Sequence, residues 1–129
     1  MQRILVIDDE PDVRDFLITA LSRAGYDVRG AANGREGVHA CRREMVELVI
    51  TDLVMPEKEG LETIIELRRE HPELKVIAIS GGARGSSRNY LKAAQLCGAH
   101  RVFNKPISPV DLLHAVQEAI GDPDHSTEQ

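Results

Sequence analysis

The sequence places six polar residues just after short apolar runs, where their side chains could act together. These residues are Asp8, Asp9, Glu10, Asp52, Ser80 and Lys105. A carboxylate that follows a buried strand can meet solvent, a metal ion or a substrate, although aspartate also suits ordinary turns. The chemistry available to this set therefore depends on whether the fold brings its members together.

Three neighbouring carboxylates would favour either a bound divalent cation or raised carboxyl pKa values. At a separation of about 5 Å and an effective dielectric constant of about 20, each pair of negative charges costs about 3 kcal/mol. An all-oxygen ligand set that includes waters suits Mg²⁺ or Mn²⁺ better than Zn²⁺. With a lysine and a hydroxyl nearby, such a site has the groups needed to transfer a phosphoryl group to a carboxylate.

Five predicted strands alternate with five predicted helices along the chain. The strands are expected at 3–7, 26–31, 48–51, 76–79 and 101–104. Apolar residues at three- and four-residue spacing predict helices at 11–24, 37–45, 61–71, 89–97 and 109–120. Ser108 is a predicted N-cap and Asn33-Gly34 a predicted turn. The apolar face of the second helix is expected to include Met45.

Repeated strand–helix units imply an α/β fold, a doubly wound five-stranded parallel sheet with helices on both faces. The runs at 4–7, 48–50 and 76–79 are continuously apolar, as central parallel strands should be. The strand order 2-1-3-4-5, a flavodoxin-like three-layer αβα arrangement, satisfies this pattern. Winding then reverses between strands one and three, and ligands bind beside such a switch point.

Length and charge exclude several classes of protein. The chain has 129 residues, 42% of them apolar, which fits one domain over 1–121 and a polar tail over 122–129 that we expect to be disordered. A net charge of −5 argues against binding to nucleic acid or to an anionic membrane. No apolar stretch approaches the roughly 20 residues that cross a bilayer, and no signal peptide is evident. Cys41 and Cys97 are interpreted as reduced thiols, and we expect a cytoplasmic protein.

Five motifs in order resemble the receiver domain of two-component response regulators. The matching stretches are Ile4–Glu10, Asp52–Pro56 with Gly60–Glu62, Ser80, Gly98-Ala99 and Lys105-Pro106. Each motif alone is modest, but the set at this spacing is specific, and the resemblance covers 2–120.

The resemblance implies a role for each matching residue. Asp52 would be the phospho-acceptor, Ser80 the switch hydroxyl, and Lys105 the contact to the phosphoryl group, with a cis bond before Pro106. The metal, Mg²⁺ or Mn²⁺, would be held by Asp8, Asp9, Asp52 and the backbone carbonyl of Val54, with Asp8 acting largely through water.

Two departures from the family pattern concern how the signal is read out. Val102 stands where the family commonly has an aromatic residue, three positions before Lys105, and Phe103 next to it fits the inward strand position. Ser80 and Lys105 are 25 positions apart, more than is usual, and the excess falls in the glycine-rich loop at 81–87.

We expect a stand-alone receiver that is a signalling domain rather than an enzyme, although it supports its own Mg²⁺-dependent phosphorylation and dephosphorylation. A histidine kinase or a histidine phosphotransfer protein would supply the phosphoryl group. The output would be binding to another protein through the face of the fourth helix, fifth strand and fifth helix.

Two alternatives stay open at this point. One is a pseudo-receiver, a binding module that works without phosphorylation, which the absence of the aromatic residue favours. The other is a small phosphatase of the haloacid-dehalogenase type. Such enzymes have Asp-x-Asp at the nucleophile, whereas Asp52 is followed by Leu53-Val54.

Overall fold

The computed structural model describes residues 2–53, 60–80, 92 and 94–123 and contains one five-stranded parallel sheet. Its strands are β1 (Arg3–Ile7), β2 (Asp27–Ala31), β3 (Leu48–Asp52), β4 (Lys75–Ser80) and β5 (Arg101–Asn104). Their order is β2-β1-β3-β4-β5, so the predicted fold class is confirmed. The central strands β1, β3 and β4 are almost entirely buried, as their continuous apolar runs predict.

Within the described residues, four helices of ten residues or more connect and cover the strands. They are α1 (Pro11–Arg23), α2 (Gly34–Arg43), α3 (Gly60–Glu70) and α4 (Pro109–Ile120). Residues 94–97, part of the predicted fourth helix, are also helical. Ser108 caps α4 as predicted, since its side chain accepts a hydrogen bond from the Asp111 N–H at 3.3 Å. After α1, Gly25 takes a positive φ of 106°, the left-handed geometry that ends many helices.

The start of the second helix was predicted incorrectly. Asn33-Gly34 is not a separate turn, because Asn33 is the N-cap of α2 and its side chain accepts a hydrogen bond from the Glu36 N–H at 2.9 Å. The Glu36 carboxylate accepts one in return from the Ala32 N–H. Met45 lies beyond the end of α2 and is 77% exposed, so the expectation that it joins the apolar face is wrong.

The helices form two layers around the sheet, each with its own apolar core. Leu17 and Leu21 of α1 and Val116 of α4 pack against one face of the sheet. Val38 of α2 and Ile64 of α3 pack against the other face. The predicted three-layer arrangement is therefore confirmed. Within the part of the chain that the structure describes, no helix combines the length and apolar character needed to cross a membrane.

Helix α2 approaches the sheet closely at Gly37. A Cβ atom added at Gly37 would lie 2.3 Å from Cδ1 of Ile7, whose side chain is 1% exposed and cannot swing into solvent. We expect Gly37→Ala to lower the free energy of unfolding by about 1–3 kcal/mol, the usual cost of overpacking a core. Urea denaturation measures this change.

A double-mutant cycle tests the cause of that loss. Ile7→Val removes the Cδ1 atom that lies nearest to the added methyl group. The combination of Gly37→Ala with Ile7→Val should therefore be less destabilised than the sum of the two single variants. Strict additivity would show that the space beside Ile7 is not what limits position 37.

Cys41 is buried in the core under α2, and this determines its reactivity. Burial, assisted by the negative charge of Glu70, raises the pKa of the Cys41 thiol to about 11. At pH 8 we expect iodoacetamide to modify Cys97, which is partly exposed, and to leave Cys41 intact until the protein is unfolded. Peptide mass spectrometry after timed labelling measures both sites.

The same pKa shift predicts how stability depends on alkaline pH. The unfolded thiol ionises near its usual pKa of 9.0, below that of the folded thiol, so the free energy of unfolding should fall as the pH rises above about 9. Equal labelling rates for Cys41 in the folded and unfolded protein would contradict the burial on which both expectations rest.

Candidate functional site

The strand order brings two acidic residues from β1 and β3 to the same edge of the sheet. Ile7 of β1 lies opposite Thr51 of β3, so Asp8 and Asp52 are next to one another where the two strands end. Carboxylate oxygens of Asp8, Asp9 and Asp52 all lie within 4.8 Å of one another. Asp8 is 1% and Asp52 4% exposed, whereas Asp9 is partly exposed. The structure thus brings together the three predicted aspartates.

One cation, Lys105, lies close to several of these acids. Its Nζ lies 3.1 Å from Oδ2 of Asp8 and 3.4 Å from Oδ2 of Asp52. It also lies 2.9 Å from Oε1 of Glu10. Burial acts to lower the pKa of Lys105, but the hydrogen bond to Glu10 and the charges of Asp52 and Asp8 outweigh it, so the pKa is raised. Lys105 therefore keeps its positive charge at every physiological pH.

One carboxylate oxygen of Asp8 remains able to accept a ligand. Its Oδ1 accepts a hydrogen bond from the Glu10 N–H at 2.9 Å. Its buried Oδ2 has no hydrogen-bond partner among the described residues, because the nearby ammonium group of Lys105 lies within ion-pair distance but outside hydrogen-bond geometry. Burial raises the pKa of Asp8, and the Glu10 N–H and Lys105 only partly offset that rise.

These features fit a divalent cation. Among the described residues, four acids, Asp8, Asp9, Glu10 and Asp52, lie around the ammonium group of Lys105, so carboxylates outnumber that cation. The buried Asp8 Oδ2, which has no hydrogen-bond partner among the described residues, lies beside two further carboxylates, and this is the hard oxygen donor set that Mg²⁺ prefers. Val54, whose carbonyl is the fourth predicted ligand, lies outside the described residues.

Ser80 and Lys105 come from the neighbouring strands. Asp52 lies opposite Ile79 of β4, so Ser80 is one residue further along, where it is 2% exposed. The Lys105 N–H donates a hydrogen bond to the Ser80 carbonyl at 2.8 Å. The Lys105–Pro106 bond is cis, as predicted. The sheet therefore places both predicted residues beside Asp52.

Val102 lies on the same face of the sheet as Ser80. The register pairs Ala78 with Val102 and Ser80 with Asn104, so Val102 on β5 lies two residues before the position opposite Ser80. Val102 packs against the core on the α2–α3 side, whereas Phe103 packs on the α1–α4 side. The aromatic ring thus lies across the sheet from Ser80. The glycine-rich loop at 81–87 lies outside the described residues.

The backbone at Asp52 is held by residues that carry no charge. A Cβ atom added at Gly60 would lie 2.3 Å from the Asp52 carbonyl oxygen and 2.5 Å from Cα of Leu53. The Gly60 N–H also donates a hydrogen bond to the Leu53 carbonyl at 3.0 Å. Thr51 Oγ1 donates to the Asp52 carbonyl at 3.0 Å. Helix α3 therefore begins in direct contact with the backbone of Asp52.

Two contributors to the site were not given a role from the sequence. Glu10 belongs to the acidic run after β1, but only the structure pairs it with Lys105, 95 positions away. Gly60 matches a family motif, yet its close approach to the Asp52 backbone depends on three-dimensional packing. For Glu10, its position next to Asp8 and Asp9 was the available signal in the sequence. For Gly60, no physical signal in the sequence indicated the close approach.

Comparison with known proteins agrees with this geometry. A sequence model described as the response regulator receiver domain matches residues 4–117. The chain belongs to the response regulator receiver domain family. Its function therefore lies in two-component signalling, and receiver domains bind Mg²⁺ at an acidic cluster such as the one formed here by Asp8, Asp9 and Asp52.

Several relatives match this receiver domain over nearly their full length. It is 32% identical to the response regulator receiver protein CpdR of Brucella abortus, covering 93% of this chain and 98% of that protein. It is also 32% identical to the chemotaxis protein CheY of Thermotoga maritima, covering 91% and 96% of the two chains. The crystal structure of the response regulator TrrA of Thermotoga maritima in complex with Mg²⁺ and BeF superposes with a TM-score of 0.82 at 32% identity, covering 93% and 100%.

Mg²⁺ should stabilise this receiver domain by occupying the acidic site. A ligand that binds only the folded state at about 100 times its Kd adds about 2.7 kcal/mol to the free energy of unfolding. We expect the melting temperature to rise with Mg²⁺ concentration and this response to be lost in Asp9→Asn. Scanning calorimetry at constant ionic strength measures both.

Asp15→Asn is a matched control for the metal experiment. It removes the same charge from an exposed position on α1, outside the acidic cluster, and should keep the full Mg²⁺ response. If Asp9→Asn responded to Mg²⁺ as strongly as Asp15→Asn, the ion would bind elsewhere.

Proposed function

We propose that this receiver domain accepts a phosphoryl group on Asp52 in a Mg²⁺-dependent reaction and signals by binding another protein. The observation that supports this most directly is the position of the Asp52 carboxylate. It is 4% exposed, it lies beside Asp8 and Asp9, and its Oδ2 is 3.4 Å from the Lys105 ammonium group. A carboxylate in this setting can act as a nucleophile whose product is stabilised by fixed charges.

The proposed reaction is an exchange of one bond to phosphorus for another. An Asp52 oxygen attacks the phosphorus of a phosphohistidine, the P–O bond forms, and the P–N bond to the imidazole breaks. The electron pair stays on the leaving nitrogen, which takes up a proton from solvent. The product is an acyl phosphate on Asp52, and the donor is a histidine kinase or a histidine phosphotransfer protein.

Each neighbouring residue has a distinct task in this proposal. Lys105 supplies a positive charge to the phosphoryl oxygens, and its contact with Glu10 holds the side chain near the end of β3. Ser80 offers a hydroxyl donor from the adjacent strand. A bound Mg²⁺, held by Asp8, Asp9, Asp52 and the Val54 carbonyl, would neutralise charge on the phosphoryl oxygens.

We propose that the signal leaves through the surface formed by residues 94–97, β5 and α4. Leu96 and Val110 on this surface are 82% and 61% exposed, and exposed apolar side chains of this kind supply contact area for a protein partner. Val102 cannot reproduce a ring that swings between two positions, since its side chain is short and packs in the core. We therefore expect Ser80 to act on this surface through backbone and packing changes. We also expect the protein to work in the cytoplasm.

Acetyl phosphate tests the proposal directly. With Mg²⁺ it should convert the protein to a form retarded in a phosphate-affinity gel, and Asp52→Asn should abolish that form while keeping a cooperative thermal transition. Asp15→Asn removes the same charge from an exposed position of α1 and should be phosphorylated normally.

The other outcomes separate the alternatives. A folded wild type that is never retarded would favour a pseudo-receiver that binds without phosphorylation. Retardation that survives in Asp52→Asn would show that another residue accepts the phosphoryl group. Fast turnover of many phosphomonoesters would favour a phosphatase.

A further inference from the structure

The turn between β1 and α1 carries two of the three aspartates of the acidic cluster, Asp8 and Asp9. The Asp8 N–H donates a hydrogen bond to the Ala31 carbonyl of β2 at 3.1 Å. The peptide group after Asp9 is held as well, because the Glu10 N–H donates to Oδ1 of Asp8 at 2.9 Å. The peptide group before Asp9 contains the Asp8 carbonyl, and a residue from outside the turn holds that oxygen.

That residue is Arg14, in the second turn of α1. Its Nη1 donates a hydrogen bond to the Asp8 carbonyl at 2.7 Å. Its backbone N–H donates to the Glu10 carbonyl at 2.9 Å. One residue therefore binds the turn at two points, one before Asp9 and one after it. The backbone on both sides of Asp9 is fixed as a result.

The side chain of Arg14 reaches the Asp8 carbonyl across β2, at Gly30. A Cβ atom added at Gly30 would lie 3.2 Å from Cδ and 3.5 Å from Cγ of Arg14. It would also lie 2.8 Å from Cδ1 of Ile18, which is one helical turn further along α1. The methylene groups of Arg14 thus pack on the backbone of β2, as long cationic side chains often do. This packing directs the guanidinium group toward the end of β1.

The charge of Arg14 alone would not help a metal site. A positive charge near carboxylates repels a divalent cation and lowers its affinity. The bond that Arg14 makes is to a backbone carbonyl, whereas Lys105 lies at ion-pair distance from Asp8 and Asp52. The contacts of Arg14 therefore favour a role in fixing the backbone over a role in neutralising the acids.

We propose that Arg14 is a positioning residue for the divalent cation, because it fixes the turn in which Asp8 and Asp9 present their carboxylates to the ion. Ligands that are already ordered bind more tightly, since less conformational entropy is lost when the ion binds. The inference rests on the proposed binding of Mg²⁺ by the acidic cluster. It adds to that site a residue of α1 that offers the ion no ligand atom.

Titration with Mn²⁺ alone, followed by the loss of the free-ion signal in electron paramagnetic resonance, tests the proposal. Arg14→Ala should weaken Mn²⁺ binding about tenfold, the usual effect of losing a group that orients metal ligands. An effect of charge alone would have the opposite sign. Arg23→Ala removes the same charge from an exposed position on the same helix and should stay within twofold of wild type.

A double-mutant cycle separates the path of the side chain from its charge. Gly30→Val keeps every charge and places a side chain where the methylene groups of Arg14 lie, so it should weaken Mn²⁺ binding at least threefold. In the Arg14→Ala background the same change should have less than a twofold effect, because the obstructed side chain is already absent.

The metal-free protein gives an independent measurement. Nitrogen-15 relaxation should show larger backbone motion at Asp9 and Glu10 in Arg14→Ala than in wild type, while the amides of β1 stay unchanged. Loosening that is confined to the turn is what a positioning role requires, whereas a general loss of stability would affect β1 as well.

Several results would overturn this inference alone. These are Mn²⁺ binding by Arg14→Ala that equals or exceeds that of wild type, equal weakening by Arg23→Ala, strict additivity in the cycle with Gly30→Val, and unchanged motion at Asp9. A different result would remove the metal site itself. If wild-type protein bound no Mn²⁺, or if Asp9→Asn bound it as tightly as wild type, the acidic cluster would not hold the ion and the role of Arg14 would fall with it.

Discussion

The site depends on one lysine that is shared among several acids. Lys105 lies within 3.4 Å of oxygens from Asp8, Glu10 and Asp52, and it is the cation that the structure places among them. Charges this close and this buried interact far more strongly than at the surface. Within the part of the chain that the structure describes, the carboxylates of this set outnumber the one ammonium group among them. Carboxylates gathered in this way make the edge receptive to a divalent ion.

The sheet holds these mutually repelling carboxylates together because its apolar cores stabilise the folded state. Strands β1 and β3 are buried along nearly their whole length and lie side by side, so the residues that follow them have no freedom to separate. Burial of aliphatic side chains contributes about 25 cal/mol per Å² of apolar surface. The repulsion among the carboxylates is small beside the total contribution of the buried aliphatic side chains. The two apolar cores therefore stabilise the fold enough to keep the acidic site together.

Much of this arrangement follows from the sequence. The continuous apolar runs determine which strands are central, strand order then brings Asp8 next to Asp52, and the parallel direction brings Ser80 and Lys105 to the same edge. The boundary of α2 did not follow, because Asn33-Gly34 suits a turn as well as a helix start and only the Asn33 cap decides between them. Met45 fits a helical repeat, but α2 ends before it. The partnership of Glu10 with Lys105 requires knowing where two distant side chains point.

The hydrogen bond between Gly60 and Leu53 has a consequence for how this protein can vary. The donor is the first residue of α3 and the acceptor follows β3, so this bond fixes where α3 begins relative to the end of β3. Position 60 leaves no room for a side chain, because a Cβ atom there would lie 2.3 Å from the Asp52 carbonyl oxygen. A substitution at Gly60 would therefore displace the backbone of Asp52 or the first turn of α3, although Gly60 itself carries no charge and lies outside the acidic cluster.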